Sequence, residues 1–278
     1  MKLRCFVRHD NLKILSKTIM NSLKGKTALV TGGGKGIGRG IAICLAEEGA
    51  NVAVVSRTHS EVRRVAQELS DLGVDSLAIQ SDISKEREVK RVAQKTADRW
   101  GSIHILVNNA ALFGKGEVIG LNKRLWDSVL ATNLTGPFLC CRAVLPFMVK
   151  QKWGRIINIS SAYGKMPRLG NSAYNTSKLG LIGFTRVLAL ETTPYNITIN
   201  SICPGWVETD HVLNFINSES KKTGKPRDLL MNQYKKESPQ NRWISPREIG
   251  RLVVYLASDE ANSITGEDIN ISGGMVMY

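Results

Sequence analysis

The sequence predicts an α/β protein with a doubly wound, seven-stranded parallel sheet. Short β-branched runs alternate with longer segments of helical periodicity along most of the 278 residues. Such alternation is typical of βαβ units, whose crossover helices cover both faces of a parallel sheet. The predicted strands are TALVT, NVAVVS, VDSLAIQ, IHILVN, RIINIS, ITINSI and DINIS. We expect a ligand crevice at the carboxyl ends of these strands, where the strand order switches.

The chain divides into a basic extension, residues 1–22, and one domain, residues 23–278. The segment from Met1 to Lys24 carries six Lys or Arg residues against the single acid Asp10. We expect the extension to be disordered. A mitochondrial presequence is the alternative, because such segments are basic and poor in acids. The remaining length is sufficient for one large α/β domain with a substantial core.

The first predicted strand, TALVT, leads into the glycine-rich stretch from Thr31 to Gly38, TGGGKGIG, which opens the first helix. Glycines permit a tight turn and a close backbone approach, and the free N–H groups of a helix N-terminus bind a pyrophosphate. Between a strand and a helix, this pattern predicts a dinucleotide-binding domain of the Rossmann type.

The end of the second predicted strand indicates which dinucleotide is bound. An acid at this position binds the adenosine 2′-hydroxyl of NAD, whereas this chain has Ser56 followed by Arg57. An acid would repel a 2′-phosphate, but a guanidinium binds it with two hydrogen bonds, and Lys35 in the glycine loop adds a second cation. The alternative is that both bases are solvated surface residues. Their joint occurrence favours NADP(H) over NAD(H).

Three side chains further along the chain are candidates for catalysis. Tyr174 and Lys178 lie four residues apart, so on a helix they share one face, where the ammonium favours the phenolate. We expect Lys178, together with the positive charge of an oxidised nicotinamide, to lower the phenol pKa into a useful range. Ser161, thirteen residues before Tyr174, can steady a developing alkoxide, and its neighbour Ser160 is the competing choice.

The order of TGxxxGIG, NNA, a preceding serine and YxxxK resembles the short-chain dehydrogenase/reductase family, from about Leu23 to the C-terminus. The resemblance implies that Tyr174 is the general acid, that the serine is Ser161, and that Asn133 holds a water linking the lysine to solvent. The implied catalytic set is Asn133, Ser161, Tyr174 and Lys178. One departure is Ala111, which stands where the family usually has glycine.

The same resemblance implies a cofactor site. In it Asp82 contacts the adenine, Lys178 hydrogen-bonds the nicotinamide ribose, and Asn109 supports the crevice. The implied cofactor-binding set is Gly32, Lys35, Gly36, Ile37, Gly38, Arg57, Asp82, Asn109, Tyr174, Lys178, Pro204, Gly205 and Thr209.

Residues 208–242 break the alternation of strands and helices. The segment is polar, contains Gly224, Pro226 and Pro239, and follows Pro204-Gly205, so we expect a helical lid over the crevice. After it, Ser245-Pro246-Arg247-Glu248 has the pattern of a capping box, which predicts a helix that begins near Pro246.

Two predicted helices, Trp126 to Val149 and Tyr174 to Glu191, are apolar almost all round. One face can pack on the sheet, but an open doubly wound sheet leaves the outer faces of its helices uncovered. The sequence therefore predicts that the second face packs against a partner subunit, in a homodimer or a homotetramer.

The formal net charge of +14 suits nucleic acid, an anionic membrane surface or anionic small molecules. No single helix concentrates the charge with interleaved aromatic residues, which argues against nucleic acid. No apolar run approaches the roughly 20 residues of a membrane span, which argues against a membrane-spanning role, and we expect no membrane partner. Five cysteines without CxxC spacing indicate neither a disulfide framework nor a metal site, and they favour a reducing, cytoplasmic location.

The C-terminal segment YLASDEANSITGEDINISGGMVMY resembles the 3-oxoacyl-acyl-carrier-protein reductases and the polyketide ketoreductases. Lys152 matches a basic position that the former use toward the acidic carrier, whereas a second such position is Tyr195 here. The resemblance implies NADPH-dependent reduction of a 3-oxoacyl thioester. The alternatives are a dehydrogenase of another small secondary alcohol, of hydroxybutyrate, sugar or polyketide type, and a nucleotide-sensing protein without turnover.

Overall fold

The computed structural model describes residues 22–278, so the predicted extension lies outside the described residues except for Ser22. The described chain contains a seven-stranded sheet in the order β3-β2-β1-β4-β5-β6-β7. Every neighbouring pair of strands is parallel. Strand order proceeds outward from β1 to β3 and then from β4 to β7, so it switches between β1 and β4. The predicted doubly wound α/β fold is confirmed.

The observed strands agree with the predicted runs to within about two residues at each end. They are β1 (Thr27–Thr31), β2 (Asn51–Ser56), β3 (Ser76–Gln80), β4 (Ile105–Asn108), β5 (Gly154–Ile159), β6 (Ile197–Pro204) and β7 (Asp268–Ile271). The helices are α1 (Gly36–Glu47), α2 (His59–Asp71), α3 (Glu86–Trp100), α4 (Lys123–Leu130), α5 (Gly136–Gln151), α6 (Ser172–Thr192), α7 (Asp210–Thr223), α8 (Arg227–Lys236) and α9 (Pro246–Ala257).

Helices cover both faces of the sheet, and each face has its own apolar core. On one face, residues of α1, α2 and α9 such as Ile41, Leu69 and Val253 pack on the strands. On the other face, α3, α5 and α6 contribute residues such as Val92 and Val144. Because both faces are buried, β1, β4 and β5 carry buried side chains along their whole length.

The helix predicted from Trp126 to Val149 is interrupted, which corrects that prediction. A π-helical segment, Ala131–Thr135, separates α4 from α5, and Asn133 is buried within it. Residues 123–151 are also the one described helical stretch that is long and apolar enough to cross a membrane. Burial against the sheet explains much of that apolar character, since Val144 and Met148 belong to the core.

The region predicted as a lid forms two helices, α7 and α8, joined at Gly224. They have a small apolar core of their own, consisting of Ile216, Leu230, Tyr234 and Trp243. After the lid, Ser245 and Glu248 form the predicted capping box, and α9 begins at Pro246 as expected.

One face of α6 carries large apolar side chains that no other part of the described chain covers. Leu179, Val187 and Leu190 are 60%, 56% and 80% exposed. Their spacing places them along one stripe of the helix. On the neighbouring α5, Phe138 is 42% exposed and packs edge-on against Phe184 of α6. The prediction of a second apolar face is therefore consistent with the structure of this helix.

Candidate active site

A cavity of about 410 Å³ lies at the carboxyl ends of the strands, where the strand order switches. The glycine loop lines one end of it, Tyr174 and Ser161 lie in its wall, and residues 204–215 of the lid region close the other side. Of the predicted cofactor and catalytic residues, only Asn133 and Lys178 lie outside the cavity lining. The fold thus brings almost the whole predicted site together.

The glycine loop fits a dinucleotide because side chains there would block the approach of the backbone. A Cβ at Gly38 would lie 2.2 Å from the carbonyl oxygen of Gly32, which is too close. Gly32 itself has φ +65°, a left-handed conformation that favours glycine. Asn109 fixes the loop, since its Nδ2 donates to the carbonyl oxygens of Thr31 at 2.9 Å and of Gly32 at 3.1 Å. The first turn of α1 therefore presents free N–H groups into the cavity, as a pyrophosphate requires.

At the end of the cavity beside β2, where the sequence predicts the adenosine, the two predicted cations Arg57 and Lys35 lie in different environments. Arg57 is exposed and lines the cavity beside Asp82, whose carboxylate accepts from the backbone N–H and the hydroxyl of Ser84. The Lys35 Nζ lies 2.7 Å from Glu61 Oε1. Sequence reasoning missed Glu61, which follows the end of β2 by five residues and lies on α2.

Two adjacent serines follow β5, and the structure distinguishes them. The Ser160 hydroxyl donates to the carbonyl oxygen of Lys178 at 2.9 Å, so it ties β5 to α6. The Ser161 hydroxyl accepts from the backbone N–H of Tyr163 at 3.1 Å and still has its own proton to donate. This geometry favours Ser161 as the group that contacts a ligand, in agreement with the sequence analysis.

Tyr174 and Lys178 lie on the first two turns of α6 and face the same side. The Lys178 Nζ is 5.7 Å from the centre of the Tyr174 ring and donates to the carbonyl oxygen of Ile159 at 2.7 Å. Burial lowers the pKa of Lys178 to about 8.

The expectation that Lys178 lowers the Tyr174 pKa is not met by the protein groups themselves. Burial raises the pKa of the Tyr174 phenol above its ordinary value, and interaction with the Ser161 hydroxyl opposes that rise. Desolvation of the phenolate is the largest cause of the rise. The tyrosine is therefore held in the protonated form, which is the form a general acid needs.

Asn133 connects three parts of the site through its buried side chain. Its Oδ1 accepts from the backbone N–H of Leu112 at 2.7 Å, and its Nδ2 donates to the carbonyl oxygen of Leu112 and to the Ser177 hydroxyl. The π-helical segment thereby fixes the loop after β4 against α6. The water-holding role of Asn133 stays a prediction.

A buried polar network beneath the site was only partly foreseen. Asn108 donates to Asn158 at 2.9 Å, Asn158 donates to Thr185 of α6 at 2.8 Å, and the Thr185 and Ser201 hydroxyls share a hydrogen bond of 2.7 Å. The network joins β4, β5 and β6 to α6. Asparagine in the otherwise apolar run RIINIS is the signal that could have revealed it.

The end of β6 and the loop after it carry three more of the predicted cofactor residues. Pro204, Gly205 and Thr209 line the cavity, as does Ile37 in the first turn of α1. The Thr209 hydroxyl accepts from the backbone N–H of Val212 at 3.4 Å, so Thr209 is the N-cap of α7. A Cβ at Gly36 would lie 3.4 Å from the Thr209 methyl group, which shows how closely the lid approaches the glycine loop.

Sequence reasoning missed an aromatic wall on the other side of Tyr174, formed by Phe113, Phe215, Trp206 and Tyr163. The ring centres lie 5.2 Å apart for Tyr174 and Phe113, 6.2 Å for Phe113 and Phe215, 6.1 Å for Phe215 and Trp206, and 6.2 Å for Trp206 and Tyr163. All four side chains line the cavity. They come from separate parts of the chain, so no spacing along the sequence indicates that they lie together.

The fold and this site define an oxidoreductase, and comparison with known proteins agrees. The family model for short chain dehydrogenases matches residues 26–220. The chain belongs to this family, whose members use a nicotinamide cofactor. No group of three or more potential metal ligands occurs within residues 22–278.

The most similar relatives include 3-oxoacyl-[acyl-carrier-protein] reductases. That of Staphylococcus epidermidis is 38% identical over 253 residues, which are 91% of this chain and 99% of the relative. That of Aquifex aeolicus is 37% identical over 254 residues, covering 91% and 98% of the two chains. An uncharacterized oxidoreductase of Bacillus subtilis is 38% identical over 253 residues, again covering 91% and 98%.

Among solved structures, a variant of actinorhodin polyketide ketoreductase with NADPH superimposes with a TM-score of 0.88. It is 34% identical, and the match covers 91% of this chain and 98% of the other. The resemblance to both kinds of reductase that the sequence indicates is therefore confirmed.

Proposed function

We propose that the protein reduces a ketone to a secondary alcohol with NADPH, and that the ketone is a 3-oxoacyl thioester. The observation that carries the reaction type is the placement of Tyr174 and Ser161 in the wall of one cavity beside the glycine loop, with the Lys178 ammonium 5.7 Å from the centre of the Tyr174 ring. The names of the relatives support the substrate class, since they are reductases of 3-oxoacyl groups and of a polyketide.

Each catalytic side chain has a distinct task in this proposal. When bound along the glycine loop, the cofactor supplies a hydride to the carbonyl carbon. The Tyr174 phenol donates its proton to the carbonyl oxygen, and the Ser161 hydroxyl donates a hydrogen bond that steadies the developing alkoxide. Protonated Lys178 stabilises the phenolate that remains, and it also binds the nicotinamide ribose. Asn133 holds the loop after β4 and the water that resupplies the proton.

Arg57 and Lys35 support NADP(H) as the cofactor. Arg57 is exposed at the end of β2 with its guanidinium available to a 2′-phosphate, and Asp82 of the same wall contacts the adenine. Lys35 reaches the phosphate after exchanging its pairing with Glu61, a rearrangement that costs little because exposed ion pairs are weak.

An acyl carrier protein is a partner that the relatives' names support, but Lys152 is poorly placed to deliver its cargo to the same chain. Lys152 precedes β5 and Ser161 follows it, so the two lie beyond opposite ends of a six-residue strand that is about 20 Å long. A carrier that contacts Lys152 would have to serve the cavity of a neighbouring subunit. The exposed stripe of α6 supports such a homodimer or homotetramer, and we place the enzyme in the cytoplasm.

The test is a steady-state assay of purified protein with NADPH and with NADH on a panel of ketones. The proposal expects oxidation of NADPH with acetoacetyl-coenzyme A, at a kcat/KM well above that with NADH. Comparison with the carrier-linked substrate measures what the carrier adds. Turnover of a sugar or a steroid alcohol without turnover of the acetoacetyl thioester would contradict the substrate class and leave the reaction type intact.

A further inference from the structure

Arg168 has an unusual environment on the substrate side of the cavity. It lies in the loop that precedes α6, lines the cavity and is about a quarter exposed. Its guanidinium carbon lies 5.1 Å from the centre of the Tyr163 ring, 5.3 Å from that of Trp206 and 5.5 Å from that of Tyr234. Rings on several sides hold the side chain in one place by packing and by cation–π attraction.

Glu237, at the end of α8, anchors this arginine from behind. Its Oε2 accepts from Arg168 Nη1 at 2.8 Å, from the Tyr163 hydroxyl at 3.0 Å and from Trp206 Nε1 at 2.7 Å. Glu237 itself does not line the cavity. One carboxylate oxygen therefore joins the loop before α6, the loop after β6 and the lid.

The anchoring leaves part of the guanidinium available. Nη1 is used by Glu237 and Tyr163, whereas Nε and Nη2 of Arg168 donate to no acceptor within residues 22–278. A guanidinium fixed on one side offers its remaining N–H groups to an oxygen at small entropic cost. The side chain is thus built as a donor toward the cavity.

The charge balance indicates which oxygen it receives. Glu237 neutralises Arg168, so the pair as a whole can donate to an uncharged carbonyl oxygen without a net charge. A carboxylate in the same position would face a second carboxylate behind the arginine. The other charged groups that line the substrate side, Lys115 and Asp210, are exposed and of opposite sign.

We propose that Arg168 is a specificity-determining residue that donates to a second carbonyl oxygen of the substrate, beyond the carbonyl that is reduced. Glu237 neutralises it and so directs the site to uncharged 3-oxoacyl derivatives, in preference to free 3-oxo acids and to simple ketones. The inference rests on the proposed ketone reduction and adds the group that recognises the rest of the substrate.

The first test compares two neutral methyl ketones in wild-type protein and in Arg168→Met. Ethyl acetoacetate has the second carbonyl and 2-pentanone lacks it. We expect the variant to lose about tenfold to hundredfold in kcat/KM for the ester, mainly through KM, as for the loss of a charge-assisted hydrogen bond. The value for 2-pentanone and the affinity for NADPH should stay within about twofold. Arg242→Met, which removes another arginine paired with a glutamate outside the cavity lining, is the matched control.

The second test changes only the charge behind the arginine. In Glu237→Gln we expect the ratio of kcat/KM for free acetoacetate to that for ethyl acetoacetate to rise about tenfold or more. The positive charge of Arg168 is then no longer neutralised, so it attracts the anion. Glu219→Gln is the matched control, because Glu219 also accepts from a tyrosine hydroxyl, that of Tyr234 in the lid, but does not pair with Arg168.

Binding measurements separate this proposal from the proposed function. Wild-type protein with NADP⁺ should gain more thermal stability from ethyl 3-hydroxybutyrate than from 2-pentanol, and Arg168→Met should lose the difference. If no ketone is reduced, the proposed function is wrong, and the two alcohols still test the role of Arg168.

Two outcomes would overturn the inference. One is an unchanged preference for the ester in Arg168→Met; the other is an equal loss on both ketones, which would mark a structural residue. Arg168→Gln serves as the second variant, and failure of both variants to fold would likewise make the residue structural.

Discussion

The cofactor half and the substrate half of the cavity are built in different ways. The cofactor half consists of backbone at the ends of β1 and β4, where the Asn109 amide fixes the glycine loop and the buried Asn108 amide joins β4 to β5. The substrate half consists of aromatic side chains from loops and from the lid, and within it Tyr163, Trp206 and Arg168 meet at the single carboxylate of Glu237. The first half is held by the sheet, whereas the second is held by side chains far apart in sequence.

This difference shows where specificity for the cofactor and for the substrate resides. The backbone turn proposed to bind the dinucleotide tolerates no Cβ at Gly38, so this half has little freedom to vary. The aromatic wall and Arg168 can change without disturbing the sheet. Substitutions of the catalytic residues, which lie between the two halves, should therefore reduce turnover most. Substitutions at either end of the cavity should change which cofactor or which substrate is preferred.

The largest expected effect among the variants that keep Tyr174 comes from Ser161→Ala. Loss of the hydroxyl that steadies the alkoxide should reduce kcat about 10²-fold to 10³-fold, with little change in NADPH affinity. Ser160→Ala is the matched control, since that hydroxyl donates to the Lys178 carbonyl, and we expect a smaller loss. Steady-state kinetics of both variants checks this, and a larger loss in Ser160→Ala would reverse the assignment of the two serines.

A second variant addresses the adenosine end. Arg57→Ala should lower kcat/KM for NADPH about tenfold to hundredfold and leave that for NADH nearly unchanged, because only the 2′-phosphate loses a charge-assisted contact. Arg63→Ala, on the exposed side of α2 and outside the cavity lining, should change neither value. Equal losses with both cofactors would show that Arg57 does not recognise the phosphate.

The pH dependence of reduction tests the catalytic centre without a large structural change. Burial lowers the pKa of Lys178 to about 8, so the charged form prevails below that pH and is lost above it. Burial raises the pKa of Tyr174, so the proton donor persists through this range. We expect kcat/KM for ketone reduction to fall above about pH 8, approaching tenfold per unit. In Lys178→Arg the fall should move to higher pH, and an unchanged profile would exclude Lys178 as its source.

The smallest expected effect concerns an ion pair in the cofactor half of the cavity. Glu61→Gln removes the partner of Lys35 and so leaves the ammonium available to the 2′-phosphate. We expect kcat/KM for NADPH to rise by no more than about fivefold, in line with the weakness of exposed ion pairs. Glu68→Gln, which unpairs Arg39 on the same two helices, is the matched control. A fall in NADPH use would mean that Glu61 itself supports the site.

Much of the fold could be predicted because its signals are local. Each strand is a short β-branched run, and the glycine loop and the pair Tyr174 and Lys178 are motifs with fixed spacing. The π-helical segment could not be predicted, since it depends on the bonds between Asn133 and Leu112, which are distant in sequence. Helical periodicity does not separate an α-helix from one with a single wider turn.

The candidate site divides in the same way. Gly36 and Asn109 could be predicted, because the first belongs to the glycine motif and the second follows a predicted strand. Glu61 was missed because it reaches Lys35 from another helix. The aromatic wall and Arg168 were missed because their segments meet only in the folded chain. The rise in the Tyr174 pKa that the protein groups cause was not foreseen, because burial of the phenol is a tertiary property.

The most direct test of the central claim is the rate of NADPH oxidation with acetoacetyl-coenzyme A in wild-type protein and in Tyr174→Phe. Tyr255→Phe, an exposed tyrosine on α9, is the matched control and should behave as wild type. The account predicts that Tyr174→Phe loses about 10²-fold to 10⁴-fold in kcat while its Kd for NADPH stays within about twofold. Wild-type turnover in Tyr174→Phe would contradict it.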